Sequence, residues 1–248
     1  MHTALAVAAG LVSLAFACST FERWLARHRR HELAWSLALG FFSVAAFALA
    51  AGAALGWTPL TFRLFYLFGA IVNVPFLALG TVYLLGGQKR GDQVAAAVAL
   101  LCAFAAGVVL TEPLRGPLPA DQLVQGSAVF GPGPRLFAAL ASSLGALTIF
   151  LGAAWSAFRY RRGRMLWSNV LIALGTVILS SSGLLNSVLD EMDGFAVTLV
   201  IGISVIFAGF LVATGGARRP APASLSLPTP ALDAGASRPS PSAARRGT

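Results

Sequence analysis

The 248 residues are 57% hydrophobic and 11% charged, with a mean hydropathy of +0.77, whereas about a quarter of a soluble domain is charged. That excludes a water-soluble globular body and places the chain in a lipid bilayer. A net charge of +9 would suggest nucleic acid if it formed one patch, but the basic residues lie between and after apolar runs, so no nucleic-acid partner is expected.

A hydrocarbon core of roughly 30 Å takes about 20 apolar residues per helix, and seven such stretches occur: 3–20, 34–56, 62–85, 93–111, 134–158, 165–189 and 194–214. Lipid leaves no partner for open strands, and these runs are too long and too uniformly apolar for barrel strands. The expected fold is therefore all-α, a polytopic transmembrane bundle of about seven helices over residues 1–215. The first run is the shortest. It lacks the positive flank that precedes the apolar core of a secretory signal, since only His2 comes before it, so it reads as a retained helix.

Short loops rich in Lys and Arg stay cytoplasmic. Segments 21–33, 86–92, 159–164 and the tail together hold fifteen basic residues. The alternate segments hold only Arg63, Arg115 and Arg135, with the acids Glu112, Asp121, Asp190, Glu191 and Asp193. This alternation puts the amino terminus outside and the carboxyl terminus in the cytoplasm. Trp24, Trp35, Trp155, Tyr160 and Trp167 fall near the inner boundary and Trp57 near the outer one, where amphipathic rings sit at headgroup depth. Segment 112–133 and the Pro/Ala/Ser/Arg-rich tail 216–248 are not membrane, and the tail reads as disordered. Seventeen of the eighteen basic residues are Arg, and Ala and Gly abound, a high-GC bias that points to a bacterial inner membrane. Cys18 and Cys102 lie at the end of one run and in the middle of another, which does not indicate a disulfide framework. Helices one to three and five to seven show no convincing repeat.

Ionisable groups at membrane depth are expensive, so they are the places to look for chemistry. On the third helix, regular α spacing puts Arg63, Tyr66 and Asn73 within about 80° of one another, with Asn73 about 15 Å deeper and Pro75 just beyond it. The bland reading has Arg63 reaching headgroups and Asn73 bonding a neighbouring helix. Along the sixth helix, Asn169, Thr176, Ser180, Gly183, Ser187 and Asp190 form a stripe, with Asn186 and Glu191 beside it. In the functional reading these line an outward-facing polar cavity. There Asp190 or Glu191, with Glu112, meets Arg63 or Arg135. Ser142, Gly145 and Gly152 on helix five, and Gly202 and Gly209 on helix seven, are close-packing stripes.

Residue chemistry removes several classes. The only lysine lies in a loop, which excludes a retinal Schiff base. His2, His28 and His31 lie outside the expected core, which argues against haem, quinol, intramembrane zinc and Ser–His protease sites. No glycine-rich phosphate loop ends in Lys. Accordingly no cofactor, metal or catalytic residue is assigned.

The segments Arg63-Leu64-Phe65-Tyr66-Leu67-Phe68-Gly69, Asn73-Val74-Pro75 and 185–192 (LNSVLDEM) resemble an uncharacterised family of bacterial seven-helix integral membrane proteins. That resemblance implies a topology and no activity. The leading expectation is a non-enzymatic protein that binds or passes a small or amphipathic molecule, such as a lipid, with candidate ligand contacts Arg63, Tyr66, Asn73, Glu112, Asn186 and Asp190. The alternative is a structural or regulatory membrane subunit whose glycine stripes pack against partner proteins or a second copy. An intramembrane enzyme using Glu112 or Asp190 as acid or base ranks last.

Overall fold

The computed structural model describes residues 2–116, 118, 126–159, 164–188 and 192–214. These are all-helical, with no strand among the described residues. In chain order they form α1 (His2–Arg27), α2 (Arg30–Leu55), α3 (Pro59–Phe65), a π-helical turn (Tyr66–Val72) and α4 (Asn73–Thr111). These are followed by α5 (Gly126–Val129), α6 (Pro132–Arg159), α7 (Arg164–Val188) and α8 (Met192–Thr214). Four helical stretches among the described residues are long and apolar enough to cross a membrane: Thr3–Arg27, Arg30–Leu55, Pro59–Thr111 and Pro132–Ser156. Shorter apolar helices occur at Leu166–Leu179 and Val197–Gly209. The expected tail lies outside the described residues.

The first helix is not short. It runs on through Arg23, Trp24 and Arg27, so the expected loop 21–33 shrinks to His28 and Arg29. An apolar-run criterion stops at the first charge, but helix propensity does not, and Glu, Arg and Leu continue a helix readily. His28 closes the helix at φ 51°, its N–H donating to Trp24 O at 2.7 Å, a left-handed cap.

α1 and α2 pack antiparallel through three buried serines. Ser13 donates to Leu39 O (2.7 Å), Ser36 to Ala17 O (2.9 Å) and Ser43 to Gly10 O (3.0 Å). As one residue number rises its partner's falls, which fixes the register of the hairpin. In lipid such interhelical bonds average about 0.6 kcal/mol each, and their value lies as much in specifying register as in stability.

α2 ends at Gly56, whose φ of 85° suits glycine. Thr58 then caps α3: its Oγ1 accepts from Thr61 N (3.1 Å) and Thr61 Oγ1 accepts from Thr58 N (2.9 Å), with Pro59 at the first turn. Trp57 packs inside the bundle. It is 8% exposed, packed on Phe62 and Phe65 at 5.8 and 5.5 Å.

Pro59–Thr111 is no single rod. A straight helix would separate Arg63 from Val109 by about 70 Å, yet Arg63 bonds Val109 O. The chain reverses at Gly87, whose φ of 78° interrupts α4. Beyond it, the expected loop 86–92 is helical except at that residue.

α6 packs on the first arm of α4, where the backbone of Gly145 lies against Val74. A β-carbon on Gly145 would stand 2.7 Å from the Val74 side chain. α7 and α8 close on Gly175, Gly202 and Gly209, and Phe207 of α8 meets Phe16 of α1 at 4.8 Å. The opposite side of α6 leaves Leu136, Leu140, Leu144, Leu147, Leu151, Trp155 and Phe158 exposed. That continuous apolar stripe would aggregate in water and suits hydrocarbon.

Candidate functional site

The third-helix residues sit where the chain departs from α geometry. Between Tyr66 and Val72 the helix widens to π spacing. Such a turn accommodates one extra residue and slips everything beyond it by about 100°. The expected shared face of Arg63, Tyr66 and Asn73 therefore breaks: the slip moves Asn73 to about 180° from Arg63. Pro75 contributes to the cause. Lacking an N–H, it cannot donate to the carbonyl four or five residues back, Ile71 or Ala70. Ser142 of α6 takes up Ala70 O instead, at 2.8 Å.

Arg63 reaches across to the end of α4. Its Nη1 donates to Val109 O and Leu110 O, and its Nη2 to Glu112 O at 2.9 Å. These acceptors are helix-terminal carbonyls without intrahelical donors, and a cation there also complements the negative end of the helix dipole. Of the expected meeting of Asp190 or Glu191, with Glu112, and Arg63 or Arg135, the first two acids lie outside the described residues, and Arg63 makes no ion pair with the Glu112 carboxylate. That carboxylate lies over Gly131 beside the Arg115 guanidinium.

Tyr66 closes an aromatic group with Phe62 (6.1 Å) and Phe130 (4.9 Å), over the backbone of Gly126. Phe130, 1% exposed, is carried there by α5, and Arg115 N–H bonds Val129 O at 2.9 Å. The segment after α4 thus folds back as a cover over the end of α3. Asn73 lies deeper and is buried, and its Oδ1 has no hydrogen-bond donor among the described residues. Asn186 falls within α7, but its side chain lies outside the described residues, as does Asp190 altogether.

The glycine stripes are occupied within the chain. A β-carbon on Gly175 would stand 2.6 Å from Ile206. On Gly202 it would stand 2.7 Å from Leu179, and on Gly209 2.9 Å from Ser168 O. Gly152 lies against Thr81. These surfaces are not free to receive another subunit.

Two polar groups at the other end of the bundle were not expected. Glu32, fully buried, accepts from Arg23 Nη2 at 2.9 Å. Asp92 Oδ1 accepts from Arg30 and from Tyr83 Oη (2.8 Å), joining the α1–α2 turn to the turn at Gly87. The available signal was an acid inside each basic turn. Among the described residues no group of His, Cys, Asp and Glu could hold a metal ion.

Comparison with known proteins adds no assignment: no family model, no curated protein and no solved structure matches the chain.

Proposed function

We propose that this chain is a seven-helix protein of a bacterial inner membrane, amino terminus outside and carboxyl terminus cytoplasmic, that binds a small hydrogen-bond-donating amphiphile. The observation that carries the binding reading is Asn73 Oδ1, a buried acceptor without a donor among the described residues, beside a π turn of the kind frequent at functional sites. A buried polar atom left unpaired costs about 1–3 kcal/mol. A hydroxyl or amine brought by a ligand would supply the missing donor, and the aromatic cover of Phe62, Tyr66 and Phe130 would gate its access from the outer side.

Pairing of the helix ends supports the topology. Arg30 meets Asp92 at one end of the hairpins while Arg63 meets the Glu112 carbonyl at the other. Among the described residues the basic turns at 28–29 and 87 thus lie at the end opposite Arg63 and Glu112, in keeping with a cytoplasmic basic face.

Thermal melting of the detergent-purified chain against a panel of aliphatic alcohols and amines tests the binding reading. Asn73→Leu is expected to melt at or above wild type, since it removes an unpaired polar atom, and to lose the ligand-dependent shift seen in wild type. A panel that shifts both proteins equally sinks the assignment. For topology, a reporter fused ahead of Met1 is expected to read outside, and a cytoplasmic reading would overturn it.

A further inference from the structure

The turn at His28–Arg29 and the turn at Gly87 are held together by one acid. Asp92 accepts from Arg30, next to the first turn, and from Tyr83 Oη of its own hairpin, and the Tyr83 ring packs against Gly91. With the Gln88 amide oxygen facing Arg30, it accepts from Nε and Nη2 at 3.1 and 3.0 Å. Around this joint Arg27, Arg29, Lys89 and Arg90 are all exposed, and none has an acidic partner among the described residues. The nearby acids are largely committed: Asp92 to Arg30 and Glu32 to Arg23, leaving Glu22 exposed on α1.

Apolar side chains run directly up to these cations. Phe21 and Leu25 on α1, and Leu84 and Leu85 on α4, are each 41–52% exposed. A soluble anion or a nucleic acid would need only the charges. Cations at the rim of an exposed apolar wall match a molecule with an anionic head and a hydrocarbon body.

We propose that the two turns form a binding site for the phosphate headgroup of an anionic membrane phospholipid, seated among Arg27, Arg29, Lys89 and Arg90 with its acyl chains along Leu25 and Leu84. Asp92 is the positioning residue: it brings the two pairs of cations to one place. Each basic residue near an anionic lipid surface contributes about fivefold in affinity.

Native mass spectrometry of the full chain in detergent, titrated with phosphatidylglycerol, phosphatidylcholine or inorganic phosphate, tests this. Phosphatidylglycerol is expected to bind at least tenfold tighter than phosphatidylcholine, weakening in high salt, and inorganic phosphate is not expected to displace it. Lys89→Gln with Arg90→Gln should weaken phosphatidylglycerol binding about 25-fold. Asp92→Asn is the decisive variant, because it makes the surface more positive while releasing Arg30. A built site binds phosphatidylglycerol more weakly in Asp92→Asn, whereas a diffuse positive field binds it more tightly and overturns the proposal. Should that variant fail to fold, Tyr83→Phe keeps the Arg30–Asp92 pair, removes one bond to Asp92 and is expected to lose threefold or more. Equal binding of the two lipids by wild type, displacement by phosphate, or an unchanged Tyr83→Phe would each overturn the assignment.

Discussion

Arg63 Nη2 holds the main-chain carbonyl of Glu112 at 2.9 Å while the Glu112 carboxylate turns away to lie over Gly131. The two residues are thus joined by a helix cap and not by an ion pair. Arg63→Ala is expected to destabilise the protein by about 2–4 kcal/mol, because it strips donors from three carbonyls at the end of α4. Glu112→Gln leaves the main-chain acceptor in place and should cost less than about 1 kcal/mol. Equilibrium unfolding of both variants in mixed micelles separates the readings, since an ion pair would make the two losses similar.

The pair at the opposite end behaves differently because its acid is fully buried. Glu32 accepts from Arg23 with one oxygen, and its second oxygen has no donor among the described residues. Breaking a buried pair leaves an uncompensated charge and costs about 3–5 kcal/mol, whereas replacing both partners by apolar groups is often close to neutral. Arg23→Met alone, which takes the donor from the fully buried Glu32 carboxylate, should therefore be more destabilising than Arg23→Met combined with Glu32→Leu. The measurement is the unfolding midpoint of each, and a double variant less stable than Arg23→Met would contradict it.

How much of this was legible depends on which atoms do the work. Apolar runs locate the helices because hydrocarbon tolerates few alternatives, but they mark neither end. α1 continues seven residues past its expected stop at residue 20 because charged residues are good helix formers once outside the core. Arg63 was legible as important and illegible in role, since its acceptors are main-chain carbonyls with no sequence signature. Pro75 pointed to a distortion, yet the widening lies ahead of it, in residues whose composition is ordinary. Glu32 and Asp92 could have been read from the sequence as acids placed within the basic turns.

The glycines divide into those that another helix covers and those that face open space. A β-carbon on Gly145 would crowd Val74, whose carbonyl oxygen would be 3.1 Å away, and one on Gly209 would crowd Ser168 O at 2.9 Å. Overpacking of this kind costs about 1–3 kcal/mol. Gly40 and Gly107 would meet nothing within 4 Å, so alanine there should raise helix propensity and stabilise by about 0.5–1 kcal/mol. Melting temperatures of the four alanine variants should split into two falls and two rises. Uniform tolerance would show that the stripes do not hold the bundle together.

Ser142 Oγ donates to Ala70 O at 2.8 Å, a carbonyl whose backbone donor is compromised by the proline five residues on. Ser142→Ala should therefore cost about 1–3 kcal/mol, because it strands a carbonyl where water is scarce. Pro75→Ala restores an N–H that can turn to Ala70 or Ile71, so in that background Ser142→Ala should cost less. A double-mutant cycle on unfolding free energies reads the difference directly, with a coupling of about 1 kcal/mol expected. Purely additive losses would mean that Ser142 stabilises the α6 contact for reasons unrelated to the proline, and that the π turn is maintained by the surrounding packing alone.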